Sequence, residues 1–144
     1  MQVTYGGYVL DDTLERLDFG RCHAWLTDTY WSPGITRTEV ERGFKNSTLA
    51  VGAYCENELV GCLRAVSDRT RFGYLMDVFV ASRHRGQGLG KALVRYALEH
   101  PELVLVYQWT LATMDAHQVY RAVGFSELAN PERYMSLRRT RPWL

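Results

Sequence analysis

The stretch Arg85-Gly86-Gln87-Gly88-Leu89-Gly90-Lys91 decides how the rest of the chain is interpreted. It follows the apolar run 74–81 and precedes the amphipathic stretch 89–98, which predicts a strand, a glycine loop and the start of a helix. Alternate glycines let the backbone adopt positive φ angles and approach a ligand closely, since no Cβ stands in the way. The helix N-terminus adds unpaired N–H donors, and Arg85 and Lys91 add positive charge. The element therefore suits a phosphate or pyrophosphate.

A tight strand-to-helix connection without a ligand is the alternative for this loop, but three glycines with flanking cations favour anion binding. Spacing argues against two other nucleotide-binding motifs. A P-loop needs Ser or Thr after its lysine, whereas Lys91 is followed by Ala92. A dinucleotide fingerprint needs a glycine at position 91 and usually lies in the first strand–helix unit, whereas this loop lies past mid-chain.

Hydrophobic periodicity and turn residues predict an α+β domain with the element order βααβββαβαβ. No repeat or linker is evident, so residues 1–144 are expected to form one domain. Strands are predicted at 8–10, 48–55, 59–66, 72–80, 103–110 and 134–137, and helices from Asp18 to about Tyr30, from Thr36 to about Asn46, from Leu89 to His100 and from Asp115 to Ala122.

Composition excludes several classes of function. The net charge is +1, and no basic stripe with interleaved aromatics occurs, so nucleic acid is not an expected partner. Residues 1–6 lack the features of a secretory signal, and the apolar stretch 103–112 is too short to span a bilayer. We therefore expect a cytoplasmic protein with no membrane partner. The three cysteines lack a CxxC spacing and the four histidines follow no ligand pattern, so no metal is expected.

A second motif lies further along, at Ala116-His117-Gln118-Val119-Tyr120-Arg121-Ala122-Val123-Gly124-Phe125. It resembles the closing Ala-x-x-x-Tyr-x-x-x-Gly-Phe motif of the GNAT family of N-acetyltransferases. The glycine loop is similar to that family's acetyl-CoA loop, Gln/Arg-x-x-Gly-x-Gly/Ala, matched by Arg85, Gly88 and Gly90. The resemblance implies a mixed, mostly antiparallel central sheet flanked by helices. The chain departs from the family at Thr113, where Asn is frequent.

The resemblance also implies a cofactor, acetyl-CoA, and residues that bind it. These are Val78, Phe79, Val80, Arg85, Gly86, Gln87, Gly88, Leu89, Gly90, Lys91, Thr113, Ala116 and Tyr120. In the family, main-chain amides of the strand before the loop lie near the thioester carbonyl, and the tyrosine donates a proton to the CoA sulfur. Spacing alone would favour core packing for Tyr120, and the family motif reverses that preference.

Asp77 interrupts a strand that is otherwise built for burial on both faces. A buried carboxylate needs a partner or a purpose. One hypothesis is structural: an ion pair with Arg64 or a bond to a backbone amide. The other is catalytic: Asp77 borders the acceptor pocket and either binds a substrate ammonium or removes its proton. Spermidine/spermine N-acetyltransferases, relatives within the family, are similar in having an acidic residue at this place.

Four aromatic residues are candidates for the acceptor pocket. Tyr30 and Trp31 end the first predicted helix, at the loop that overhangs the acceptor in the family, and Tyr74 and Trp109 lie on two central predicted strands. Core packing is the alternative for each. Aromatic rings with one carboxylate suit a compact cationic amine through cation–π contact and ion pairing.

The sequence thus predicts an acetyl-CoA-dependent N-acetyltransferase that acts on a primary amine, with a small cationic molecule as acceptor. No Ser or Cys lies in a nucleophile setting beside a base, which favours direct transfer over an acyl-enzyme. The alternatives are a non-catalytic acyl-CoA-binding or regulatory module and a protein-lysine acetyltransferase. A homodimer formed through the last strand is implied only by the resemblance.

Overall fold

The computed structural model describes residues 1–141 and contains a six-stranded sheet flanked by helices. The strands are β1 Gln2–Tyr5, β2 Tyr8–Asp11, β3 Leu49–Cys55, β4 Glu58–Ser67, β5 Gly73–Val80 and β6 Trp109–Thr110, and the helices are α1 Phe19–Leu26, α2 Arg37–Lys45, α3 Leu89–Glu99 and α4 His117–Arg121. The strands lie in sequence order across the sheet. All neighbours are antiparallel except β5 and β6, which are parallel. The predicted α+β class with a mixed, mostly antiparallel sheet is confirmed.

The sheet is covered on both faces, so the central strands β3 and β4 are buried almost throughout. On one face α3 packs its apolar side, including Leu93, against Val51 and Leu63. On the other face α1 and α2 pack Leu26 and Phe44 against the sheet. Among residues 1–141, no helix combines the length and apolar character needed to cross a membrane.

The first two helices begin where the sequence predicts. The Asp18 side chain accepts a hydrogen bond from the N–H of Arg21 (3.0 Å), and Thr36 forms a reciprocal capping box with Glu39. The end predicted for α1 was wrong, because the helix stops at Leu26 rather than near Tyr30.

The early end of α1 has a local cause. The hydroxyls of Thr29 and Ser32 both donate to the carbonyl of Leu26 (2.8 Å each), so side-chain bonds replace the next helical turn. Residues 27–34 consequently form a bridge of turns that follows α1.

The predicted strand 103–110 was wrong except at its last two residues. Leu103 and Val106 are buried, whereas Val104 and Leu105 are 59% and 79% exposed. Buried residues three positions apart are typical of successive turns, whereas the buried residues of a strand lie two positions apart. The N–H of Leu103 donates to the carbonyl of His100 (2.8 Å), and the N–H of Val106 to that of Leu103 (3.0 Å).

Two further differences lie at the ends of the chain. The predicted last strand, 134–137, is irregular, with Met135 98% and Leu137 82% exposed. Its alternating apolar residues are therefore not buried against a sheet. At the other end β1 was not predicted, since all four of its residues are exposed and carry no burial pattern. It pairs with β2 across the turn Gly6-Gly7.

Candidate active site

The site lies where β5 and β6 separate. The two strands pair only at Gly73–Trp109 and Tyr74–Thr110, and beyond these pairs β5 has a free edge. A cavity of about 650 Å³, here called the strand cavity, lies between this edge and residues 112–116. A second cavity of about 550 Å³, the loop cavity, lies over the glycine loop 86–90. Six residues line both cavities: Val78, Val80, Arg85, Asp115, Ala116 and Tyr120.

A β-bulge in β5 sets which groups face these cavities. The register between β4 and β5 shifts opposite Asp77, whose φ of 53° is left-handed. Asp and Asn are the residue types, after glycine, that tolerate this conformation best. The bulge therefore explains how a strand built for burial can contain an aspartate at this position.

The bulge also redirects backbone amides toward the cavities. Before it, the N–H of Gly73 donates to a carbonyl just ahead of β6 (2.9 Å). After it, the N–H of Ala81 donates to a carbonyl of β4 (2.8 Å). Because N–H groups alternate along a strand, those of Val80 and Val78 face away from β4, toward the separated strands. Two donors thus line the junction of the cavities.

The carboxylate of Asp77 is held by two side chains. One oxygen accepts from Nε of Arg64 (2.7 Å), and the other accepts from the indole N–H of Trp31 (2.9 Å). The Asp77 side chain is only 8% exposed and that of Arg64 16%. The ion pair expected under the structural hypothesis is present, while a role for Asp77 as base or substrate anchor stays a prediction.

The bridge 27–34 spans the strand cavity. On one side Trp31 donates to Asp77 on β5. On the other side the Tyr30 hydroxyl oxygen accepts from the N–H of Met114 (2.7 Å). The two aromatic rings pack edge to face, with centroids 5.0 Å apart. The bridge therefore ties both walls of the cavity together, and its aromatic side chains, together with Tyr74, line the interior.

Tyr120 lies on α4 at the junction of the cavities. Burial raises the pKa of its phenol to about 12, with smaller contributions in the same direction from the neighbouring Tyr30 and Asp115. Within the described part of the chain its hydroxyl makes no hydrogen bond. The phenol therefore remains protonated at neutral pH, with its proton available to a group bound between the cavities.

The glycine loop has the geometry of an anion site. Gly86 and Gly88 have φ angles of 79° and 78°, and Gly88 is the N-cap of α3. The backbone N–H groups from Gly86 to Lys91 have no acceptor among residues 1–141. Arg85 donates from Nε to the carbonyl of Val80 (2.9 Å), which fixes its guanidinium beside the loop. Free amides, a helix N-terminus and two cations together suit a phosphate group.

Gly88→Ala is expected to destabilise the fold more than Gly86→Ala. Each alanine costs about 1–2 kcal/mol because both φ angles are left-handed. A Cβ at position 88 would also lie 2.6 Å from the Tyr5 hydroxyl, whereas one at position 86 has nothing within 4 Å. Denaturant unfolding of both variants, alone and with Tyr5→Phe, measures the difference. Equal losses of the free energy of unfolding in Gly88→Ala and Gly86→Ala would contradict a clash between the new Cβ and the Tyr5 hydroxyl.

The structure brings most of the predicted residues together but not Trp109. Its ring lies across Gly73, where a Cβ would be 2.6 Å from it. It lines an adjoining, mainly apolar cavity of about 380 Å³ that shares Thr113 and Tyr120 with the strand cavity. Thr113 and Ala116 line the strand cavity, while their predicted contact with acetyl-CoA stays a prediction. Leu89 is buried in the core, so only its backbone faces the loop.

Three charged residues of the strand cavity were missed by sequence reasoning. Asp28, Asp115 and Arg138 line this cavity and are exposed. Each lies outside the helices and strands, where no periodicity marks a side chain that faces a cavity. Only the fold brings them together.

The chain is similar to known proteins in sequence and in fold. The chain matches the family model for the acetyltransferase (GNAT) family over residues 11–125. No curated protein matches it. A solved structure from Xanthomonas campestris pv. campestris, assigned to the GNAT acetyltransferases, is 34% identical with a TM-score of 0.88, and the match covers 94% of this chain and 96% of that one.

Two more distant structures show the same fold. A Clostridium acetobutylicum protein assigned as an acetyltransferase and solved with acetyl-CoA is 16% identical with a TM-score of 0.70, over 96% of each chain. Glucosamine-6-phosphate N-acetyltransferase from Arabidopsis thaliana is 20% identical with a TM-score of 0.61, and the match covers 93% of this chain and 97% of that one.

Proposed function

The chain belongs to the GNAT family of acetyltransferases, and from that premise we propose that it transfers the acetyl group of acetyl-CoA directly to a primary amine of a small cationic molecule. The proposal depends on one observation above all: the two cavities meet at Tyr120. One cavity has the character of an anion site, and the other is lined by aromatic, acidic and arginine side chains. A protonated phenol lies between them.

The residues of the loop cavity fit acetyl-CoA. The unpaired amides of 86–91 would hold the pyrophosphate at the N-terminus of α3, with Arg85 and Lys91 beside it. When bound, acetyl-CoA supplies an acetyl thioester, whose carbonyl carbon is open to attack by an amine. The free edge of β5 leads from the loop cavity into the strand cavity, so it is the path along which the acetyl end would lie.

The chain's own groups then stabilise the developing charges. The N–H groups of Val78 and Val80 face the junction and can donate to the thioester carbonyl oxygen, which gains negative charge as the amine adds. The Tyr120 hydroxyl can donate its proton to the departing sulfur. Both contributions come from groups held in place by β5 and α4 before substrate binds.

The strand cavity suits a cationic acceptor. Its rings, Tyr30, Trp31 and Tyr74, offer cation–π faces to an ammonium group. The carboxylates of Asp28 and Asp115 attract a cation, and the arginines Arg85 and Arg138 also line this cavity. An ammonium must lose a proton before it attacks. Among residues 1–141, Asp115 is the carboxylate that lines both cavities, so we assign it the acceptance of this proton, directly or through water.

Asp77 has a different role in this proposal. Because both of its oxygens are already engaged by Arg64 and Trp31, it acts as a positioning residue that holds the indole over the strand cavity. It need not touch the acceptor. This assignment replaces the sequence-based hypothesis of Asp77 as base with one that follows from its contacts.

The pH dependence of the reaction provides a test. Since the pKa of Tyr120 is raised to about 12 from an ordinary value of about 10, its acid form persists until the pH passes through the raised value. We expect kcat/KM to rise with pH as the acceptor ammonium deprotonates, with no fall below about pH 10. Initial rates in overlapping buffers measure this profile. A fall in kcat/KM with an apparent pKa near 8 or 9, without loss of folded protein, would contradict it.

Calorimetric titration with CoA and acetyl-CoA, followed by free-thiol release against a panel of amines, tests the function itself. Binding with amine-dependent thiol release is the expected result. Binding without release towards small amines or lysine peptides would instead indicate a non-catalytic module. Release with lysine peptides alone would indicate a protein acetyltransferase.

A further inference from the structure

The tip of the β1–β2 hairpin contacts the glycine loop. Tyr5 and Tyr8 flank the hairpin turn and pair with each other across it. The Tyr5 hydroxyl donates to the carbonyl oxygen of Gln87 (3.1 Å), and the Tyr8 hydroxyl donates to the side-chain oxygen of the same residue (3.1 Å). The Tyr8 oxygen also lies 3.0 Å from Nδ1 of His84, just before the loop. Both backbone and side chain of Gln87 are thus held from one side.

Holding this carbonyl also orients the next amide. Peptide bonds within residues 1–141 are trans, so the C=O of Gln87 and the N–H of Gly88 point in opposite directions. With the carbonyl bound to Tyr5, the Gly88 N–H points away from the hairpin. Gly88 lines the loop cavity, and its N–H has no acceptor within the described part of the chain. A glycine at this place could otherwise let the peptide rotate at little cost.

We propose that Tyr5 and Tyr8 are positioning residues for the cofactor: they fix the Gln87–Gly88 peptide so that the Gly88 N–H is presented to the pyrophosphate of CoA. The inference rests on the proposed function, because it requires CoA in the loop cavity. It adds a role for the hairpin, which sequence patterns did not reveal. The two tyrosines act through Gln87 and need not touch the cofactor.

The hairpin is attached independently at its other end. The Tyr96 hydroxyl donates to the carbonyl of Met1, and Nε2 of His100 lies 2.8 Å from a carboxylate oxygen of Asp12. Both partners lie at the C-terminal end of α3. The hairpin therefore runs along α3 and stays docked when a hydroxyl at its tip is removed. Tyr5 is itself 37% exposed, so Tyr5→Phe should fold normally.

The test compares Tyr5→Phe and Tyr8→Phe with the parent and with Tyr107→Phe, a control at a position 72% exposed. Calorimetry with CoA should give a Kd raised about threefold to tenfold for each hairpin variant, the loss expected for one hydrogen bond, and an unchanged Kd for the control. With acetyl-CoA, KM should rise by the same factor. The kcat value and the KM of the amine should stay within about twofold, since the reacting groups are untouched.

The outcomes separate this inference from the proposed function. A parent protein that binds no CoA overturns both. A parent that binds CoA, with hairpin variants that bind equally well, overturns only the positioning role. A fall in kcat at unchanged KM for acetyl-CoA also overturns it, because the tyrosines would then act on the reaction step. Weaker protection of the 86–90 amides from hydrogen exchange in CoA-saturated Tyr5→Phe than in the CoA-saturated parent, at an unchanged melting temperature, would support it.

Discussion

Tyr120→Phe is expected to lower kcat for acetyl transfer by about 10²- to 10⁴-fold, the contribution typical of a positioned general acid. The variant loses only the hydroxyl that lies between the two cavities. Within residues 1–141 that hydroxyl has no hydrogen-bond partner, so its removal should change the free energy of unfolding by less than about 0.5 kcal/mol. Thiol release measures the rate, and calorimetry should show CoA binding within about twofold of the parent.

The matched control is Tyr107→Phe, which removes a hydroxyl from a ring that is 72% exposed. It should leave kcat unchanged. An unchanged kcat in Tyr120→Phe as well would remove Tyr120 as the acid and leave water as the proton donor. A loss confined to the KM of the amine would assign Tyr120 to acceptor binding instead.

Asp77→Asn is expected to lower the free energy of unfolding by about 3 kcal/mol, because it leaves the guanidinium of Arg64 buried without its counter-ion. Asparagine tolerates the left-handed conformation at this position, so the loss should reflect charge rather than backbone strain. Denaturant unfolding at constant pH measures it. A loss below about 0.5 kcal/mol would show that the pair is solvated like a surface ion pair.

The double variant Arg64→Met with Asp77→Asn separates stability from catalysis. Replacing both charges removes the uncompensated guanidinium, so at least half of the lost stability should return. The amide oxygen of the introduced asparagine can still accept from the indole of Trp31, so kcat should stay within about tenfold of the parent in both variants. A loss of about 10³-fold in both, at temperatures where they are folded, would restore Asp77 as the base.

The glycine loop could be predicted because its chemistry is local. Positive φ at Gly86 and Gly88, a helix that begins at Leu89 and cations at both ends follow from neighbouring residues alone. The helix starts at Asp18 and Thr36 were predictable for the same reason, since a cap needs only residues a turn away.

The strand predictions failed where the burial of a segment depends on residues far away in the sequence. The stretch 103–106 is as apolar as a buried strand, but only two of its residues find a core to pack against. Residues 134–137 alternate like a strand and yet remain exposed. In contrast, β1 is a strand that was not predicted. Hydrogen bonds from tyrosine hydroxyls, rather than apolar contacts, connect the tip of its hairpin to the glycine loop.

Asp77 shows how sequence and structure each supply part of the account. Its unusual place in an apolar strand marked it as informative, and Arg64 was the expected partner. The bulge, the positive φ and the bond from Trp31 could not be predicted, because they depend on how β4 and the bridge 27–34 pack against β5. The sequence therefore identified the residue, and its contacts indicate the role.

The most direct test of the account is mass-spectrometric detection of an acetylated amine formed with a stoichiometric amount of free CoA. The parent protein would be mixed with acetyl-CoA and a panel of small cationic amines, with Tyr120→Phe as the matched control. N-acetylated product is expected from at least one amine, formed far more slowly by the variant. CoA binding without any acetylated product from the panel would contradict it.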